Sequence, residues 1–282
     1  MATFAEFINS YFLWRDPMIV GAVTGAVCGF LGVYVVLRRI IFVSAALTQI
    51  SSFGVGLAFY LEAYSLGVFA SLFDPFILSL LLTCLAAAFF ALRKDFSRVS
   101  TEGVIAFGFL LASGAVVIIG DRITKGAHDI ADILFGSAVV VEPADVLIIP
   151  LVALIVFITH IIFFKDFVFV SFDTETARLF KYPVRLLNTG LLITIAVVVA
   201  VATRALGALP VFGLLALPAL SSLLITENLK LVFIFSVVIG ILSATLGYFF
   251  SFILSLPTGA SMTVCAAAFF LLASGWKGLS AG

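Results

Sequence analysis

The chain has 282 residues, of which 63% are hydrophobic and 11% charged, with no formal net charge and a mean hydropathy of +1.32. A soluble domain of this length cannot cover its surface with so few polar residues, so the composition defines an all-α, polytopic membrane protein. No basic run or stripe is available to neutralise phosphates, which excludes a nucleic-acid partner, and Cys28, Cys84 and Cys265 lie far apart in apolar runs as small core residues.

Apolar segments of about 17 to 25 residues are the unit of such a protein. Nine are expected: Met18 to Leu37, Ala45 to Ala63, Phe76 to Leu92, Gly103 to Gly120, Asp145 to Phe164, Leu186 to Val201, Ala208 to Ile225, Leu231 to Leu254 and Gly259 to Trp276. The sixth and seventh are short and close together, so eight to ten spans are compatible with the pattern. Residues 1–282 form one transmembrane domain with two larger connectors, an inner one ending in 171–185 and an outer one at 121–145.

The first segment carries Gly21, Gly25, Gly29 and Gly32 along one face, a signal for close approach of another backbone. Positive charge follows this segment rather than preceding it, unlike a secretory signal peptide. After Arg38 and Arg39 the head of the second segment is polar: Ser44, Thr48, Gln49, Ser51 and Ser52. Polar groups in hydrocarbon cost free energy unless they face a partner, a cavity or water, so Ser44, Thr48, Gln49 and Ser52 are candidates for a pathway lining. The bland alternative for Ser51 and Ser52 is a bond to a carbonyl of their own helix.

With the N-terminus outside, 11 Lys and Arg residues fall on the inner side and 4 on the outer. Because cytoplasmic loops retain positive charge, this orientation, with the C-terminus in the cytoplasm, is the expected one. His160 stands alone in the fifth segment and reads as a satisfied buried histidine. In the outer connector, His128, Asp129 and Asp132 are close together, and Leu134-Phe135-Gly136-Ser137 suits a short helix or half-buried loop. In the inner connector Asp173 is a candidate N-cap for two helical turns over Thr174 to Phe180, with Pro183 as the stop or the first turn of the next span. Phe172, Leu179, Phe180 and Tyr182 are its apolar anchors for a cytoplasmic partner. Pro210 and Pro218, with Gly207 and Gly213, predict a kinked or interrupted seventh span.

Six pieces in order carry a resemblance: Val33 to Arg39, Ser100 to Ile105, Ile133 to Gly136, Val170 to Asp173, Gly207-Ala208-Leu209 with Leu217-Pro218-Ala219, and Leu256 to Ala260. The chain resembles the ABC-3 family permeases, the membrane subunits of bacterial zinc, manganese and iron importers, from about Val20 to Ala273. The resemblance implies a fold like that of the vitamin and siderophore importers and a location in the bacterial inner membrane. It implies a second permease copy, an ABC ATPase subunit on the cytoplasmic face and an extracytoplasmic substrate-binding protein. It further implies that 171–185 is the coupling element, with Phe172, Asp173, Glu175, Ala177, Arg178, Leu179 and Phe180 at or near the ATPase. The chain has no Gly-Lys dipeptide and so no phosphate-cradling Walker loop, which places ATP in the partner and leaves no cofactor or catalytic residue here.

One departure bears on cargo. Family members commonly read Gly-Asp-x-Leu-x-His where this chain reads Ser44-Ala45-Ala46-Leu47-Thr48-Gln49. Ala45 and Gln49 therefore replace an Asp and a His four apart on one face, and an uncharged amide binds zinc or manganese weakly. A metal importer with a less adhesive pathway, an importer of a chelated metal or small organic ligand, and a secondary transporter are the readings compatible with this pattern. An intramembrane protease is not, because no Ser/His pair, paired Asp or His-Glu-x-x-His lies within the spans.

Overall fold

The computed structural model describes residue 7 and residues 11–64, 74–93, 100–122 and 141–280. The outer-connector candidates His128, Asp129, Asp132 and Leu134 to Ser137 lie outside the described residues, as do Lys94, Arg98 and Lys125.

The described chain is helical: α1 (Tyr11–Leu37), α2 (Ile41–Tyr64), α3 (Pro75–Leu92), α4 (Thr101–Arg122), α5 (Pro143–Ile162), α6 (Phe164–Phe172), α7 (Thr174–Leu179), α8 (Val184–Leu206), α9 (Ala208–Ile225), α10 (Leu229–Leu254) and α11 (Thr258–Ser280). Among the described residues nine of these are long and apolar enough to cross a membrane, all but α6 and α7. The expected spans are therefore present, and the short sixth and seventh are separate helices. Their break is at Gly207, whose φ of 90° lies where side chains are rarely tolerated, so the chain turns there without a loop. The helix that follows runs through Pro218 rather than stopping at it.

The glycine face of α1 does what its spacing predicts. A Cβ on Gly25 would sit 2.3 Å from the Gly240 carbonyl oxygen, and one on Gly29 would sit 2.5 Å from that of Ser236. Gly32 faces α9 instead, where a Cβ would meet the Leu215 oxygen at 1.9 Å. Lipid supplies no hydrophobic drive between helices, so this backbone contact, with Ser236 Oγ donating to the Gly29 carbonyl at 2.6 Å, is what joins α1 to α10. Around this pair, α9 packs on α1, α10 and α11, while α2 packs on α3, α4 and α8.

Two differences from the sequence expectation concern helix ends. The first span begins at Tyr11, because the helix continues through Arg15 and Asp16, whose exposed side chains bond one another at 2.8 Å. The inner connector is not an open loop before Asp173: after a break at Phe163, residues Phe164–Phe172 form α6.

Non-glycine residues in the left-handed region close α1 and α7. Arg39 (φ 58°) and Lys181 (φ 59°) each follow a helix whose last carbonyls are taken by the amides beyond it, Ile40 to Val35 and Tyr182 to Ala177, both at 3.0 Å. This is the Schellman arrangement, with a basic residue where glycine would be less strained and where positive charge complements the helix dipole.

Candidate functional site

Three sites follow from the sequence candidates: the polar head of α2, the α6–α7 element, and the charged groups at the two ends of the bundle.

On α2, Ser44, Thr48, Ser51 and Ser52 are all buried. They do not form one cluster. Ser44 Oγ donates to the Ile41 carbonyl at 2.7 Å and Thr48 Oγ1 to that of Ala45 at 2.9 Å, so both are satisfied by their own helix. Ser51 and Ser79 of α3 share a hydrogen bond of 2.9 Å, across a contact that Gly54 keeps close. Gln49 Oε1 and Ser52 Oγ are different: both are buried and neither has a hydrogen-bond partner. A buried polar group without a partner costs about 1–3 kcal/mol, and Thr24, Tyr34, Ser113 and Thr203 carry such atoms as well. Ala45, one turn before Gln49, is buried and offers no ligand atom. Among the described residues no group of three or more His, Cys, Asp or Glu comes together to hold a metal ion.

His160 is buried, stacked on Phe167 with ring centroids 4.6 Å apart, and its Nδ1 lies 3.1 Å from the Val156 carbonyl. Phe30 and Tyr34 complete an aromatic cage, so this histidine packs α5 against α1 and α6.

The short helix α7 is held down from one side and open on the other. Asp173 caps it, accepting from the Thr176 amide at 2.9 Å and from Thr176 Oγ1 at 2.5 Å, and these bonds hold its carboxyl below the usual carboxylate range. Ala177 is fully buried against Val170 and Val184, so its methyl is the fastening of α7 to α6 and α8 rather than part of its outer face. Phe172, Asp173, Glu175, Arg178 and Tyr182 are exposed, as are Leu179 at 82% and Phe180 at 70%. Leu179 ends α7 and Phe180 caps it, so the two exposed apolar side chains stand together at its C-terminal end.

Beneath α7, the Arg38 guanidinium is a junction. Its Nε donates to Ser171 Oγ at 3.0 Å, Nη1 donates to Asn188 Oδ1, and Nη2 reaches the Val170 carbonyl at 3.4 Å. Burial pulls its pKa down to about 10, so it remains charged at neutral pH. This one side chain joins the α1–α2 turn to α6 and to the start of α8. Sequence reasoning placed Arg38 at a loop and missed this role, since no local pattern links it to Ser171.

At the opposite end of the bundle Arg204 Nη2 donates to Asp145 Oδ1 at 2.6 Å and to Glu142 Oε2 at 3.0 Å, and its guanidinium carbon lies 5.5 Å from the Phe76 ring centroid. The acids sit at the start of α5 and the base in the last turn of α8, each where the helix dipole favours its sign. The pair, also missed in the sequence, fastens α5, α8 and α3 together.

Nine helices long and apolar enough to cross a membrane, among the described residues, define a polytopic membrane protein. The chain belongs to the ABC 3 transport family, whose model matches residues 10–277. It is 26% identical over 278 residues to the manganese transport system membrane protein MntC of Listeria monocytogenes, covering 96% of this chain and 92% of that one. It is also 26% identical to the chelated iron transport system membrane protein YfeD of Yersinia pestis, covering 94% of this chain and 85% of that one. Its fold matches a chain of PsaBC from Streptococcus pneumoniae, solved in complex with a Fab, with a TM-score of 0.83 and 26% identity over 96% of this chain and 95% of that one.

Proposed function

We propose that this permease is the membrane-spanning subunit of an ATP-driven importer of manganese or iron in the bacterial inner membrane. Full-length similarity to permeases named for manganese and for chelated iron supports the cargo class. The observation that carries the coupling assignment is α7, a capped helix fastened through Ala177 to α6 and α8, with Leu179 and Phe180 exposed. An ABC ATPase docks there, binds and hydrolyses ATP, and moves α6 and α7 as a unit. Arg38 passes that movement to the head of α2, where Gln49 and Ser52 line the pathway. The charge bias of the loops supports a cytoplasmic α7 end, an outer N-terminus and delivery of cargo at the Arg204 end by a binding protein. A second copy of the chain completes the permease.

Neutral oxygens on Gln49 and Ser52, with Ala45 in place of a carboxylate, favour a cargo that passes weakly bound or still carries its own ligands. A chelated metal is therefore the second reading. The test is ATPase activity of the assembled complex with its binding protein loaded in turn with manganese, iron or an iron chelate. The free ions are expected to stimulate under the first reading and the chelate alone under the second. No stimulation by any of them would contradict both.

A further inference from the structure

A cavity of about 690 Å³ opens at the α7 end, between the central helices and the peripheral pair α3 and α4. Five arginines from four places in the chain line it: Arg38 and Arg39 from the α1–α2 turn, Arg93 after α3, Arg178 of α7 and Arg185 in the first turn of α8. Among the described residues no Asp or Glu lines it. Among the described residues Arg39, Arg178 and Arg185 have no carboxylate within ion-pair distance, and the partners of Arg38 are all neutral. The neighbouring acids Asp173, Glu175 and Glu102 are exposed and face elsewhere.

Like charges gathered around one opening repel unless an anion sits among them. The rest of the wall fixes what kind of anion. Leu37, Val43, Phe90, Leu92, Ile105 and Leu192 give it an apolar stretch, beside the polar Thr101, Ser171, Thr174 and Asn188. The peripheral helices that form one side leave the apolar side chains of Leu85, Phe89, Phe107 and Leu111 exposed. An arginine rim above an apolar wall, next to a lipid-facing surface, fits an amphiphile with its phosphate at the rim and an acyl chain along the wall. The apolar docking anchors Phe172, Leu179 and Phe180 do not line the cavity, although Arg178 of the same helix does.

We infer that this cavity binds the headgroup of an anionic diacyl phospholipid, which wedges between α3–α4 and the α1–α2 turn. The inference does not depend on the identity of the cargo.

Native mass spectrometry of the full chain in mild detergent tests it, with phosphatidylglycerol and phosphatidylcholine of identical acyl chains as probes. Wild type is expected to retain phosphatidylglycerol at least about tenfold better than phosphatidylcholine. Arg39→Gln with Arg185→Gln is expected to lose roughly thirtyfold in phosphatidylglycerol affinity, at two arginines removed. Equal retention of the two lipids by wild type overturns the inference, and so does an unchanged preference in the double variant. Displacement of phosphatidylglycerol by millimolar inorganic phosphate also overturns it, because a free anion would then suffice. Loss of ATPase co-purification in the double variant with lipid preference intact assigns the arginines to the partner instead. If the double variant fails to fold, the wild-type preference and its decline with rising salt decide the matter.

Discussion

Arg38 Nε lies 3.0 Å from Ser171 Oγ, across 133 residues of sequence, and this bond joins the turn that opens the polar helix α2 to the segment that carries α7. Ser171 is itself fixed, since its hydroxyl donates to the Phe167 carbonyl at 2.6 Å. The guanidinium spans two helices because its planar fork presents several donors at once, which a lysine cannot reproduce.

Arg38→Met is therefore expected to leave ATPase co-purification intact and to lower cargo-stimulated ATP turnover by roughly five- to thirtyfold. Arg38→Lys is expected to fall between wild type and Arg38→Met. Loss of binding and turnover together would show that Arg38 belongs to the docking surface and not to the link behind it.

Leu179 and Phe180 carry the docking surface proposed for the ATPase, and both are exposed. Burying each against a partner contributes about 1.5–3 kcal/mol, so Leu179→Ala with Phe180→Ala is expected to weaken ATPase binding by two orders of magnitude or more. The protein should still insert and melt as wild type does, because neither side chain is part of the core. Co-purification of the ATPase measures it.

Asp173 makes the order of α7 depend on pH. Its carboxyl is held below the ordinary range by the bonds from Thr176, so the stabilisation is complete above about pH 4 and is lost as pH falls through the lower folded value. Amide exchange at Thr176 is expected to accelerate several-fold in Asp173→Ala at neutral pH. Asp173→Asn, which still accepts the amide, should stay near wild type and should not show the acid-induced loss.

The Arg204 pair makes the other end of the bundle sensitive to truncation of one partner. Arg204→Met leaves the nearly buried Asp145 without its cation and is expected to cost about 3 kcal/mol, read as a drop of several degrees in the detergent melting temperature. Adding Asp145→Asn to that variant should restore much of the loss. Glu142→Gln should have little effect, because Glu142 is exposed.

The spans were legible in the sequence because their signal is long and additive: twenty apolar residues outweigh any local irregularity. The α1 interface was legible for a different reason, since glycine at helical spacing has few other uses in a span, and Gly25 and Gly29 meet Gly240 and Ser236 as that spacing implies. Helix α7 was legible through its local chemistry, Asp173 at one end and Pro183 at the other. Helix α6 was not, because Lys165 and Asp166 end the apolar run of α5 and no cap or proline marks a new helix after them. The Arg38–Ser171 and Arg204–Asp145 contacts were invisible, because they join residues far apart in the chain and nothing in either local pattern names its partner. The polar residues of α2 were visible as a group, but only the structure separates Ser44 and Thr48, bonded to their own helix, from Gln49 and Ser52, which keep open acceptors.

Coupled transport by a partner ATPase is tested most directly by metal uptake into vesicles containing this permease, with and without the ATPase subunit and internal ATP. Uptake of manganese or iron is expected only when the ATPase, ATP and the loaded binding protein are all present. Uptake that persists on an ion gradient, with no ATPase subunit in the vesicles, would contradict it.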